Sequence, residues 1–293
     1  MEPSGFNIIL TRKVPHIHEK ILLYLDYASF KKCHMVCKTW HKVLTSESVC
    51  RKVYSLYGPD MDKEFLHYSY EGNFERMENM LFKGVNPNGS EEDNVLGKTP
   101  LIHCAGTGQT HLVKLLLNHG VDSNKVNKNA PHLNALMIAV QGKHQDMVKL
   151  LLNEGANPDV FSRYSWGSPL IRAAGQKGSK EMVKMLLKAG AKPDAAVFNG
   201  YTPLHMAAQS PQEDVVEMLL HSGADVNAAT PNIGVTPLHL AALYGLTGVV
   251  KILLDVGGNP MQMDLMGKTP LQYAQGAGKK NVVKMLQVTG AGN

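Results

Sequence analysis

Residues 202–227 read TPLHMAAQSPQEDVVEMLLHSGADVN, and the stretch holds two helices with a start and a stop written into it. A threonine before proline opens a helix, because the hydroxyl accepts a free N–H of the first turn and proline at the first helical position has no donor to lose. Leu204 and the small pair Ala207-Ala208 follow, and small side chains let a neighbouring helix come close. The second apolar block, Val215 to Leu220, runs to Gly223, the residue type that most readily takes the left-handed conformation past a helix end.

Working outward, the same pattern recurs as GKTPLIHCAG at 97–106, GSPLIRAAG from Gly167, GVTPLHLAAL from Gly234 and GKTPLQYAQG from Gly267. The capping positions Thr99, Asn134, Ser168, Thr202, Thr236 and Thr269 follow one another at intervals of 35, 34, 34, 34 and 33. The stop glycines Gly84, Gly120, Gly155, Gly190, Gly223, Gly257 and Gly290 are spaced 36, 35, 35, 33, 34 and 33. A fixed period of this length marks a stacked repeat, in which no unit can bury its apolar face alone. The tripeptide GKT at Gly97 and at Gly267 is therefore a helix start. A phosphate loop needs a glycine five residues upstream of its last glycine, and those positions are Glu92 and Gln262.

The pattern resembles the ankyrin repeat family over residues 63–293, with about seven units whose first and last members are degenerate caps. The resemblance implies an all-α solenoid of helix-turn-helix units joined by β-hairpin loops, acting as a protein-binding surface. Histidine follows the helix-opening leucine at His205 and His239; Ile102, Met137, Ile171 and Gln272 replace it elsewhere. Counted from Asn88, Asn124, Asp159, Asp194, Asn227 and Met261, the next capping position lies 11, 10, 9, 8, 9 and 8 places on, so the loops differ in length. The loop Val160 to Trp166 places Phe161, Arg163, Tyr164 and Trp166 together, residue types that dominate binding hot spots. They are target-binding candidates; the plainer reading is aromatics packed sideways on adjacent loops.

The N-terminal sixty residues do not follow the repeat. Phe30, Cys33, Cys37, Trp40 and Leu44 step by three and four, which makes one apolar helical stripe. Val14-Pro15, Ile21 to Asp26 and the VCKTW stretch at 36–40 are similar to the F-box, over residues 12–54. That resemblance implies docking of a helical domain onto a Skp-family adaptor through Val14, Pro15, Ile21, Leu22, Leu25, Val36 and Trp40. Through the adaptor it implies a cullin-RING ubiquitin ligase, with the repeats receiving the target. The alternative is an ankyrin scaffold uncoupled from ubiquitination, with the first helices serving as its cap. Residues 55–62, with the turn signal Gly58-Pro59, form a short linker.

Composition bounds the rest. The chain has 293 residues, 44% hydrophobic and 19% charged, with a net charge of +5, which fits a folded soluble protein. Residues 11–54 carry nine Lys or Arg against three acids, whereas residues 55–293 balance; a solvated helix face accounts for the excess more simply than nucleic acid. No apolar run is long enough for a membrane span and no secretory signal opens the chain, so a cytoplasmic or nuclear location is expected. Cys33, Cys37, Cys50 and Cys104 lack zinc spacing and read as reduced thiols. His16 and His18 in HIHEK lack the order of a zinc helix. No catalytic constellation is present, and neither metal nor cofactor is expected.

Overall fold

The computed structural model describes residues 61–82, 85–88, 99–126, 134–160 and 167–290. The adaptor-docking segment, residues 55–60 of the expected linker and the aromatic loop 161–166 lie outside the described residues, while Met61 and Asp62, expected in the linker, open the first described helix. Among the described residues seven helix pairs follow one another. A helix through residues 61–71 (α1) is paired with α2 (Phe74–Phe82), α3 (Pro100–Gly106) with α4 (Thr110–Asn118), and α5 (Ala135–Gln141) with α6 (Gln145–Asn153). Then come α7 (Pro169–Ala174) with α8 (Lys180–Lys188), α9 (Pro203–Ala207) with α10 (Glu213–His221), α11 (Pro237–Tyr244) with α12 (Thr247–Asp255), and α13 (Pro270–Gly276) with α14 (Lys280–Gly290).

The helices start where the capping chemistry places them. Asn134 Oδ1 accepts the Met137 N–H at 2.9 Å, Ser168 Oγ the Ile171 N–H at 3.3 Å, and Thr99 Oγ1 the Ile102 N–H at 3.3 Å. Such caps contribute on the order of 1 kcal/mol each.

The described chain divides into two compact units. The first comprises 61–104 with 111–122. Its core holds Met61, Phe65, Met77, Leu101, Leu112 and Leu116, none more than 1% exposed. The second comprises 105–110 with 123–290 and has two helical layers. First helices α5, α7, α9, α11 and α13 pack in succession, and so do second helices α6, α8, α10, α12 and α14. The reason lies in residue size: Ala173, Ala174, Ala207, Ala208, Ala241 and Ala242 are all 0% exposed, so adjacent first helices meet almost backbone to backbone. Leu186, Leu219 and Leu253 hold the facing side from the second layer, also at 0%.

Among the described residues no strand forms, so the expected β-hairpin loops are instead turn-closed fingers. Three are described, each drawn shut by one backbone N–H to carbonyl bond across its base: Val197 to Tyr201 (2.9 Å), Thr230 to Val235 (3.0 Å) and Asp264 to Lys268 (2.9 Å). A turn bond lies within each, Gly200 to Val197 (2.8 Å), Gly234 to Thr230 (2.7 Å) and Gly267 to Asp264 (3.0 Å). One such bond followed at once by a tight turn leaves no room for a ladder. Successive fingers touch. A Cβ on Gly200 (φ +83°) would stand 2.1 Å from Pro231 Cδ, and one on Gly234 (φ +71°) would stand 2.8 Å from the Leu265 nitrogen. Both positions therefore need glycine for φ and for space.

A second set of polar bonds ties each unit to the next. Asn124 Oδ1 accepts the Asn157 N–H (2.7 Å) while its Nδ2 donates to the Gly155 carbonyl (3.1 Å). Asn227 repeats both bonds, with Asn259 N–H (2.8 Å) and Gly257 O (3.1 Å). At the same position Asp159 and Asp194 accept only the N–H, from Lys192 and Asp225. A carboxylate cannot donate to the carbonyl. We therefore expect Asp194→Asn to stabilise the protein by about 0.5–1 kcal/mol through a new bond to Gly223 O, and Asn227→Asp to destabilise it by a similar amount. Urea unfolding of the three proteins measures this; a less stable Asp194→Asn variant would contradict the assignment.

Candidate interaction surface

The fingers are placed by two buried histidines. In His205, Nδ1 faces the Thr202 N–H (3.2 Å) and Thr202 Oγ1 (2.9 Å), while Nε2 faces the Val235 carbonyl at 3.0 Å. A ring nitrogen against a carbonyl must donate and one against an N–H must accept, so the ring is neutral with its proton on Nε2. His239 repeats the arrangement with Thr236 (N–H 3.2 Å, Oγ1 2.8 Å) and the Lys268 carbonyl (3.0 Å). Each ring thus caps its own helix and grips the carbonyl that closes the next unit's finger. Gln272 takes over the cap alone, accepting the Thr269 N–H at 2.9 Å. Ile102, Met137 and Ile171 are buried apolar residues at this position, exposed by 2% or less.

The last finger is further fixed by Asp264, which accepts the N–H groups of Met266 (2.9 Å) and Lys268 (2.8 Å) and the Tyr273 hydroxyl (2.7 Å). Burial would raise this carboxyl, but those three bonds outweigh it and hold it below its ordinary value. Tyr273 is pushed up to about 12, by burial and by donating to that carboxylate. The Tyr273 ring also stands edge-on to His239, 5.1 Å between centroids.

On this rigid base the fingers expose apolar side chains at their tips: Phe198 at 91%, Ile233 at 46%, Leu265 at 70% and Met266 at 80%. The Leu265 N–H donates to the Ile233 carbonyl at 3.0 Å, so the last two tips are joined directly. Neither 195–201 nor 226–235 contains a charged residue, and 259–267 contains only the buried Asp264. The second helices are of the opposite character. An open groove of about 430 Å³ between α8 and α10 is lined by Lys180, Lys184, Lys188, Asp214, Glu217 and His221 among others. Lys180 and Asp214 pair there at 3.2 Å, about half exposed, which is worth well under 1 kcal/mol in water. That groove is a solvated face of mixed sign.

The other sequence candidates fall as follows. Cys104 is fully buried in the first unit, beside the Ser69 carbonyl at 4.0 Å, and burial pushes its thiol up to about 12. Such a thiol is unsuited to nucleophilic work. Among the described residues no cluster of His, Cys, Asp or Glu could hold a metal ion, and no helix is long and apolar enough to cross a membrane. The docking candidates Val14, Pro15, Ile21, Leu22, Leu25, Val36 and Trp40 lie outside the described residues, as do Phe161, Arg163, Tyr164 and Trp166. The exposed tips at Phe198, Ile233, Leu265 and Met266 were not singled out by sequence. One apolar residue per repeat is no local signal, and it shows only when units are aligned on Gly200, Gly234 and Gly267.

A family model described as ankyrin repeats (3 copies) matches residues 65–162, 162–230 and 228–291. These matches cover more than half of the chain, and the protein belongs to the ankyrin repeat family. Its fold is one of protein-protein interaction. No curated protein matches the chain.

Burial holds His205 and His239 below the ordinary histidine value. A folded-state pKa lowered in this way gives stability that is full above about 6.5, the unfolded value, and is lost as pH falls toward the folded one. We expect the melting temperature to drop between pH 7.5 and pH 5.5, and His205→Gln/His239→Gln to shrink that drop. At pH 7.5 each substitution should cost about 1–2 kcal/mol through the lost finger bond. An equal pH response in the double variant would show that other groups carry it.

Proposed function

We propose that this protein is a substrate receptor of a cullin-RING ubiquitin ligase. An F-box-like domain at 12–54 docks on a Skp-family adaptor, a short linker follows, and an array of about seven ankyrin repeats binds the target. The observation that carries the ligase half is the ordered set Val14-Pro15, Ile21 to Asp26 and Val36 to Trp40, which places proline, leucines and tryptophan as the F-box does. The binding half is supported by fingers that are fixed at the base and apolar at the tip, which suits capture of a protein without reordering the receptor. The protein itself performs no chemistry in this reading. Phe161, Arg163, Tyr164 and Trp166 contribute to target binding, and the protein works where the adaptor does, in the cytoplasm or nucleus.

The test is capture of purified adaptor by the full chain and by a Pro15→Ala/Trp40→Ala variant, with circular dichroism verifying that both are folded. The proposal predicts capture by the wild type and at least a tenfold weaker affinity in the variant, about 1.4 kcal/mol. A folded wild type that captures no adaptor would leave a scaffold uncoupled from ubiquitination.

A further inference from the structure

From α8 onward the second compact unit keeps its helix charges in the second layer, although the earlier first helix α7 carries Arg172. The second helices α8, α10, α12 and α14 carry Lys, Glu or Asp in every case, whereas the first helices α9, α11 and α13 carry none of Asp, Glu, Lys or Arg. The tips of the fingers between them, 197–200, 231–234 and 264–267, hold one charged residue, Asp264, which is 6% exposed and spent on Met266, Lys268 and Tyr273. The exposed Lys192, Asp194, Asp225 and Lys268 stand at the finger bases and in the flanking segments. The large apolar side chains that the finger tips offer to solvent are Phe198, Ile233, Leu265 and Met266, with Met261 and Met263 exposed earlier in the last loop. Contact of Gly200 with Pro231, and of Gly234 with Asp264 and Leu265, makes the three fingers one uninterrupted edge.

We propose that this edge is a docking ridge for the apolar, charge-free face of an amphipathic helix in the target protein. The charge argument comes first. A Lys, Arg, Asp or Glu laid on Phe198, Ile233 or Leu265 would lose hydration with no counter-charge among the tip residues, which is costly. The occupant's face over the tips is therefore uncharged, and any charge it carries falls beside them, as at the exposed Lys268. Spacing then selects the helix. Packed helices lie about 8–10 Å apart, and a closed finger is two chains wide at about 4.8 Å each, so equivalent tips recur about every 10 Å. A helix rises about 10.5 Å in seven residues, at about 1.5 Å each, and returns to nearly the same face. An extended strand repeats a face about every 6.6 Å and drifts out of step with the tips. A helix with apolar residues seven apart therefore meets Phe198, Ile233 and the Leu265–Met266 pair in turn. The flexible Met266 thioether lets the last contact adapt to the partner's shape.

The inference rests on the reading that the array binds protein, and not on adaptor docking. The experiment pans a displayed library of random 18-residue peptides on the full chain. Enriched peptides are then measured against a Phe198→Ser/Leu265→Ser/Met266→Ser variant and a Lys180→Ala/Lys184→Ala control, with melting curves on each. The expected peptides carry apolar residues at seven-residue spacing, bind the triple variant at least tenfold more weakly and the control equally, and change affinity less than twofold between 50 and 500 mM salt. A proline placed mid-peptide should abolish binding. Enriched peptides that are salt-sensitive, tolerate the proline or keep their affinity for a folded triple variant would overturn the ridge while leaving the array a binder. An absence of any enriched peptide would overturn the binding reading as well. Adaptor capture is unaffected by every arm.

Discussion

An amphipathic helix pair of about 20 residues has too little interior to cover its own apolar side, and everything else in this protein follows from that shortage. Ala207, Ala208, Ala241 and Ala242 are completely buried because the next first helix lies on them, and Val215, Val216 and Leu219 because the first layer and the neighbouring second helices cover them. Each unit is thus both core and cover. A large side chain at any of the alanine positions would separate two units, which is why the small pair recurs with the period.

Stacking alone would leave the fingers free to swing, and polar bonds across unit boundaries remove that freedom. His205 and His239 reach forward to the Val235 and Lys268 carbonyls, which also close the bases of those fingers. Asn124 and Asn227 reach forward on the other side of the loop. Position is therefore inherited from unit to unit, and the exposed tips are carried on a base that stability itself has fixed. A surface built this way keeps its shape before the partner arrives.

The architecture was legible because its signals are local and repeated. Thr before Pro and the terminal glycine each act within one helix, the alanine pair can be read within one helix although it acts on the next, and the regular period multiplies all three. The second half of the histidine's work was not legible: Thr202 and His205 are neighbours in sequence, but the Val235 carbonyl lies thirty residues on and exists as a partner only once the units stack. The same holds for the apolar tips. Trp166 and Tyr164 draw the eye because aromatics crowd one loop, whereas Phe198, Ile233 and Leu265 are single residues whose exposure depends on where the glycine turns place them. The β-hairpin expectation failed for a related reason, since a loop of eight or nine residues spends most of its length on turns and caps. The resemblance to the F-box rests on residues outside the described structure, so its support remains the spacing of a few side chains in sequence.

If units are stabilised by their neighbours, protection must depend on position in the array. Native-state hydrogen exchange on the full chain tests this directly. The account predicts that amides of α9 to α12, covered on both sides by adjacent pairs, share the slowest exchange and open together, while α14 exchanges sooner. Equal protection from α9 through α14, or a separate opening rate for each helix pair, would contradict it.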